Sequence, residues 1–207
     1  GLIIKHTYIE GKHFPYTQTE QLGNYLKYIC TQALPSNKVV PEATLLKSGE
    51  PNMHYARVIK HKDNFKNMLY AYNFEIEKVG YEFTNPKFSG VADIIAIDNK
   101  VKSKVRNKRR VVIDIIATNN FSDKWSDYGW ADETIEQKDE LLLKAIHCKV
   151  LAKYEWGIED IPFYFFVFSL KSENECKVFE VVVDEQTRFQ HLKNLKNTKF
   201  YLDEQLN

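Results

Sequence analysis

Two aspartates interrupt apolar runs, where burying a carboxylate is costly unless a cation pairs with it or a metal ion binds it. Asp93 lies in GVADIIAI and Asp114 in VVIDIIAT. If these runs are neighbouring antiparallel strands, both carboxylates stand at similar depths and can face one site. Such a pair can bind Mg²⁺, which prefers oxygen ligands and can stabilise charge on a phosphodiester. The alternative is that each aspartate pairs with a lysine or arginine, and composition alone favours this simpler interpretation.

Hydrophobic periodicity predicts the elements that must position these aspartates. The order helix, helix, three strands, helix, two strands, helix indicates an α/β fold with a mixed sheet. The second and third strands are expected to form a hairpin. The stretch 35–60, which holds three prolines, is expected to be irregular. Predicted helices begin at Thr19 and cover 61–74, 133–157 and 185–197; predicted strands cover 77–83, 90–97, 111–118, 161–170 and 176–184.

Composition is that of an ordinary globular protein. The 207 residues are 43% hydrophobic and 28% charged, and they predict one domain over 1–207 with a core at about 19–184. The net charge of +1 is no global signature of nucleic-acid binding, so attraction to a polyanion must be local. No apolar run approaches the ~20 residues of a membrane span, so no membrane partner is expected. The residues imply no particular oligomeric state.

Three cysteines, Cys30, Cys148 and Cys176, are an odd number at wide spacings. This argues against a disulfide framework or a zinc site. A reduced, cytoplasmic protein is the simplest interpretation.

The order of motifs in the chain resembles that of the PD-(D/E)XK nuclease superfamily. SGVADIIAI is followed by RRVVIDIIAT, then by a long helix and a strongly apolar strand. The phage and bacterial exonuclease-like members of the superfamily are the most similar. The resemblance covers roughly residues 19–170 and includes a Gly-x-x-Asp element, here Gly90 to Asp93. DKWSDYGW (123–130) and AIHCKVLAKYEWGIEDIPFYFFVFS (145–169) are also similar. It implies a restriction-endonuclease-like αβββαβ core, DNA as a partner, and a role in phage or bacterial nucleic-acid metabolism. The expected location is then the host cytoplasm or a virion.

The chain departs from the family pattern at four positions. The family places a lysine two residues after the second acid, and this chain has Ile116. A family acid or histidine on the first helix corresponds to Lys27. A family Gln-x-x-x-Tyr on the later helix corresponds to Lys144 and Cys148. The resemblance therefore implies that Lys27, Ile116 and Cys148 fill the site around the two aspartates.

Three functions remain open. The leading hypothesis is a metal-free, catalytically impaired site in which Lys27 and Lys144 supply the positive charge, with no cofactor; the protein would act by binding nucleic acid or a protein partner. The second is an active exonuclease or endonuclease that uses Mg²⁺ or Mn²⁺ on Asp93 and Asp114, with Lys144 as a migrated catalytic lysine. The third is a structural or protein-interaction module, for example in a phage assembly, that keeps only the fold. The missing lysine weighs against the second, and the near-neutral charge slightly favours the third over the first.

A strongly basic hairpin loop spans 98–110. It could track phosphates, with Ser103 and Asn107 as further donors. The alternative is a solvated hairpin tip without a ligand. The candidate nucleic-acid-binding residues are Lys100, Lys102, Lys104, Arg106, Lys108, Arg109 and Arg110.

Other residues invite weaker interpretations. The aromatic residues of the loop after the third strand are expected to cover the open end of the sheet rather than to stack on bases. One of the acids before the Asp93 strand could reach the site as a substitute ligand. The aromatic residues are Trp125, Tyr128 and Trp130, and the acids are Glu75, Glu77 and Glu82.

Overall fold

Runs rich in Val, Ile and Phe form one five-stranded sheet, as β-branched and aromatic residues favour. The computed structural model describes residues 17–31, 44–84, 89–123, 130 and 139–206. All five predicted strands are confirmed, although the last ends four residues early. The strands are β1 (Phe74–Thr84), β2 (Ser89–Asp98), β3 (Arg110–Thr118), β4 (Phe163–Ser169) and β5 (Cys176–Glu180).

All four predicted helices are present. The last extends to Leu206 rather than 197, the predicted start of the third at 133 lies outside the described residues, and the second begins earlier than expected. Asn52 caps that helix, since its Oδ1 accepts hydrogen bonds from the backbone N–H of His54 at 2.8 Å and of Tyr55 at 3.3 Å. The prediction of a start at residue 61 was wrong, because the prolines of 35–60 masked this cap. The helices are α1 (Gln18–Thr31), α2 (Met53–Tyr72), α3 (Asp139–Trp156) and α4 (Glu185–Leu206), with a 3₁₀ helix at Arg106–Arg109.

The strands lie in the order β1-β2-β3-β4-β5. β2 pairs antiparallel with both β1 and β3, which confirms the predicted hairpin. β3 and β4 are parallel, and β5 returns antiparallel to β4. A parallel pair needs a crossover connection, and α3 lies in it. The result is a mixed sheet flanked by helices, as expected for an αβββαβ core.

Both faces of the sheet centre are covered. All seven residues of β4 are buried, which is typical of a strand with packing on each side. On one face, α1 and α2 pack against alternate residues of β2, β3 and β4. Trp130 is 3% exposed and packs on Phe165 of β4 and Phe179 of β5. The expectation that it covers the open end of the sheet stays a prediction. The core of the α1–α2 face includes Leu22, Leu26, Val58, Phe65, Ile94, Ile113, Ile115, Phe166 and Phe168.

The chain divides into two compact units. One unit, Gln18–Val182, contains the whole sheet and the candidate site. Residues from Val183 onward, including α4, belong to the other. The expectation of a single domain over 1–207 stays a prediction. Across the described ranges, no helix has both the length and the apolar character needed to cross a membrane.

Candidate functional site

Asp93 lies where β2 separates from β3. The β2–β3 pairing runs from Ile97 only as far as Ile94 opposite Ile113. Beyond that point the backbone N–H of Ile115 donates to Asp93 Oδ2 at 2.9 Å. The side chain of Asp93 thus takes the place of a backbone acceptor and fixes its carboxylate beside β3.

Lys27 provides the first cation. Its Nζ lies 2.9 Å from Asp93 Oδ2 and 3.2 Å from Oδ1. The ammonium reaches the sheet because α1 packs its apolar face, including Leu22 and Leu26, on the same layer. The lysine side chain is 32% exposed and the Asp93 side chain 15%. Lys27 therefore joins the edge of the helix to the partly buried carboxylate.

Lys144 provides the second cation, from α3. Its Nζ lies 2.6 Å from Oδ1 of Asp114, whose side chain is 1% exposed. The other oxygen, Asp114 Oδ2, is buried and has no hydrogen-bond partner among the described residues. Only one of the two oxygens of Asp114 therefore has a hydrogen-bond partner among the described residues.

The pKa values of the two carboxyl groups are shifted in opposite directions. Burial raises the pKa of Asp114 to about 7; the hydrogen bond and negative charge of Asp93 add to this, and the two lysines only partly oppose it. The pKa of Asp93 is lowered: burial raises it, but the hydrogen bond with Asp114 and the charges of Lys27 and Lys144 outweigh burial. Two ionised carboxylates cannot hydrogen-bond to each other. A proton on Asp114 turns its carboxyl into a donor and removes the unpaired oxygen.

Lys144 remains an ammonium. Burial lowers the pKa of this lysine, but the charges of Asp114 and Asp93, together with the hydrogen bond to Asp114, raise it overall. A lysine acts as a base only after it loses its proton. In this arrangement Lys144 is a counter-ion and hydrogen-bond donor.

Ammonium groups contact three of the four carboxylate oxygens at which Mg²⁺ or Mn²⁺ would bind. Both oxygens of Asp93 contact Lys27 and Oδ1 of Asp114 contacts Lys144, whereas such ions use several oxygen ligands. Within the described parts of the chain, no three His, Cys, Asp or Glu side chains are grouped closely enough to hold a metal ion. Ile116, where the sequence resemblance implies a lysine, is a half-buried aliphatic residue.

Cys148 lies one helical turn after Lys144 on α3. It is 1% exposed, and burial raises the pKa of its thiol to about 12. A protonated buried thiol is a poor nucleophile. The neighbouring His147 directs its ring away, with Nε2 at 2.8 Å from the carbonyl oxygen of Ser89. The thiol therefore fills space and takes no visible part in chemistry.

Comparison with solved structures shows what the fold resembles. No family model matches the chain, and no curated protein matches it. The chain is similar to a crystal structure named "Putative exonuclease" from Eubacterium rectale, with a TM-score of 0.66, 12% identity, and coverage of 97% of this chain and 71% of that one. The fold is nuclease-like. At this identity the similarity shows the fold alone. A second structure, SSO0001, is 13% identical over 95% of this chain and 84% of that one, but its TM-score of 0.31 is too low to carry an argument.

Most cationic side chains of the basic loop in this nuclease-like fold contact other residues of the chain. Arg110 and Arg106 both bind Glu77, with Nε–Oε distances of 2.7 and 2.8 Å. The hydrogen bond from Arg110 is the main cause that lowers the pKa of Glu77 to about 2. Arg110 also lies over the ring of Trp156, 4.5 Å from its centroid. Glu77 is therefore an anchor for arginines rather than a substitute metal ligand.

Two further cations of the loop also have partners. Arg109 donates to the side chain of Asn99 and to the carbonyl oxygen of Asp98. Lys100 Nζ donates to the carbonyl oxygen of Ala71 at 3.2 Å. Lys102, Lys104 and Lys108 are exposed.

The described parts of the chain place none of the remaining candidate aromatic and acidic residues at the site. Trp125 and Tyr128 lie outside the described residues, while Glu75 and Glu82 are exposed. Sequence reasoning did not connect Glu77 with Arg110 and Trp156. The only signal available was an acid on β1 and a base on β3, and a separation of 33 residues says nothing about contact.

Proposed function

We propose that this chain is a PD-(D/E)XK nuclease-like protein that has lost metal-dependent phosphodiester cleavage and acts by binding. The observation that carries the proposal is the pair of ion pairs, Lys27 with Asp93 and Lys144 with Asp114. They occupy both carboxylates on which the family relies for a metal ion. Similarity to the Eubacterium rectale structure supports the nuclease-like fold, and the family assignment rests on the residue pattern.

The chemistry of the site supports lost cleavage. Hydrolysis of a phosphodiester needs an activated water and stabilisation of the charge that develops. Ile116 can do neither, and Lys144 is held as a cation by Asp114. An active enzyme with Lys144 as its catalytic lysine would have to break this 2.6 Å contact and bind a metal ion between two lysines. We therefore favour the impaired site over the active alternative.

Metal binding tests this proposal directly. Calorimetry with Mn²⁺ should show no binding heat for the wild type. The double variant Lys27→Gln, Lys144→Gln frees both carboxylates and should acquire Mn²⁺ affinity. The matched control is Lys60→Gln, Lys153→Gln, which removes one exposed lysine from each of α2 and α3, and Lys153 pairs with Glu159 instead. This control should bind no more metal than the wild type.

Cleavage assays give the second readout. Purified wild type should leave labelled single-stranded DNA, duplex DNA and RNA intact in the presence of Mg²⁺ or Mn²⁺. Metal-dependent cleavage that disappears in Asp114→Asn would overturn the proposal in favour of the active nuclease. Metal affinity in the wild type that disappears in the same variant would count against it equally.

A further inference from the structure

The β2–β3 turn lies far from the two aspartates. The chain leaves β2 at Asp98, passes through the 3₁₀ helix, and enters β3 at Arg110. Asp114 lies four positions after Arg110 along β3, a distance of about 13 Å at the usual rise per residue. The turn tip is therefore a different surface from the Asp93–Asp114 site.

Charge is strongly segregated to this turn. Residues 98–110 contain seven cationic side chains and one carboxylate, a net charge of +6, whereas the whole chain carries +1. The remaining residues therefore carry a net −5. This local excess of positive charge attracts a polyanion to the turn.

The cations of the turn divide into two groups. Arg106, Arg109, Arg110 and Lys100 bind acceptors of their own chain, as described above. The side chains of Lys102, Lys104 and Lys108 are exposed, and none forms a hydrogen bond or ion pair with a described residue. The first group fixes the turn, which leaves the three lysines of the second group available to a ligand.

The backbone of the turn is held in place before any ligand arrives. Asp98 Oδ1 accepts the N–H of Lys100 at 2.7 Å, and Ser103 Oγ accepts that of Val105 at 3.2 Å. The N–H of Lys108 donates to the carbonyl oxygen of Val105 at 3.1 Å. A preformed turn loses little backbone freedom on binding, and this favours affinity.

The available groups recognise charge density rather than sequence. Lysine ammoniums are point charges without the planar fork by which arginine reads a base edge. The exposed apolar residues of the turn are Val101 and Val105, which offer no aromatic face for base stacking. A nucleic-acid backbone supplies closely and regularly spaced negative charge, one per about 1.7 Å along a duplex.

We propose that the β2–β3 turn binds the phosphate backbone of nucleic acid without sequence preference, through Lys102, Lys104 and Lys108. This surface is separate from the Asp93–Asp114 site. The proposal holds whether or not the protein cleaves its ligand, because cleavage and turn binding are read by different assays.

The test is a salt titration of binding to a short labelled DNA of mixed sequence. The variant Lys102→Gln, Lys104→Gln, Lys108→Gln should reduce the slope of log K against log salt by about 2 to 3, since each phosphate contact contributes about 0.7 to 0.9. Three such contacts weaken wild-type binding on the order of 40-fold between about 50 and 200 mM salt. The matched control, Lys47→Gln, Lys60→Gln, Lys66→Gln, removes the same charge from exposed lysines elsewhere and should keep the wild-type slope.

Any of three results of the salt titration would overturn the proposal. The wild type fails to bind DNA at low salt, the turn variant keeps the wild-type affinity and slope, or both triple variants lose the same slope. Vesicles with anionic lipid serve as the competing polyanion, and stronger binding to them than to DNA would also reject a nucleic-acid ligand. Equal thermal melting of the two variants shows that the turn variant is folded.

Discussion

Lys144 Nζ lies 2.6 Å from Asp114 Oδ1, and this contact joins α3 to the centre of β3. It takes one oxygen of the most buried carboxylate in the candidate site and leaves the other without a hydrogen-bond partner among the described residues. The protonation state of Asp114 therefore depends on its burial and on its neighbours Asp93 and Lys144. The response of the site to mutation and pH follows from this geometry.

Loss of the Lys144 ammonium should destabilise the fold. Lys144→Gln leaves Asp114 buried without its cation, and we expect a loss of about 1–3 kcal/mol in the free energy of unfolding. This is less than the ~3–5 kcal/mol of a fully buried pair, because Lys144 is about one-third exposed. Urea denaturation at neutral pH measures it. The control is Lys153→Gln, whose partner Glu159 is 74% exposed, and it should cost about 0–1 kcal/mol. Equal effects of the two variants would contradict the prediction.

Asp114 should weaken the fold as pH rises. Its pKa is about 7 in the folded protein and 3.8 ordinarily, so between these values the folded state holds more protons than the unfolded state. The resulting stabilisation is fully present below pH 3.8 and is lost as pH rises through 7. Asp114→Asn cannot ionise, so its stability relative to wild type should increase from pH 5 to pH 8. Carbon-13 NMR of the Asp114 carboxyl group gives an independent readout, and a midpoint below pH 5 would refute this assignment.

Glu77 should stabilise the arginines of the turn. Its pKa is about 2 rather than 4.5, so its contribution is present above pH 4.5 and is lost as pH falls through 2. Glu77→Gln weakens charge-assisted hydrogen bonds to Arg110 and Arg106, and we expect a loss of about 1–3 kcal/mol near pH 7. Denaturation at pH 7 and pH 3 should show a smaller difference from wild type at the lower pH. The exposed Glu82→Gln is the matched control and should change little; a pH-independent effect of Glu77→Gln would argue against the ion pairs.

Gly90 should be required by packing against α3. A Cβ at this position would lie 2.6 Å from Leu151 Cδ1 and 3.1 Å from His147 Cδ2, so the side chain of Leu151, which is 1% exposed, would have to move within packed surroundings. Gly90→Ala should cost about 1–3 kcal/mol through overpacking. Gly23→Ala is the control: its Cβ would meet Ala117 Cβ at an ordinary 3.6 Å in mid-helix, and it should stabilise by about 0.5–1 kcal/mol. Thermal melts compare the two, and a stabilising Gly90→Ala would contradict the close approach of α3.

Local patterns were sufficient to predict the element order. The apolar runs around Asp93 and Asp114 indicated two adjacent strands, and they pair antiparallel as predicted. Gly157 has a φ of 68°, which matches its predicted place at the end of α3. Such features depend on neighbours in sequence, and alternation or a helix stop is visible there. The start of α2 shows the limit, since one capping asparagine outweighed a proline-rich context.

By itself the sequence determined that two carboxylates lie in neighbouring strands, and the family resemblance singled out Lys27 and Lys144 as residues near them. Only the tertiary structure decided which charges meet. Lys27 and Asp93 are 66 residues apart, and Lys144 and Asp114 are 30 apart. Only the tertiary structure also showed which cations of the basic loop contact Glu77, namely Arg106 and Arg110, and which lysines are exposed. Partner choice among like-charged side chains depends on distance and burial, and those follow from how helices pack on the sheet rather than from spacing along the chain.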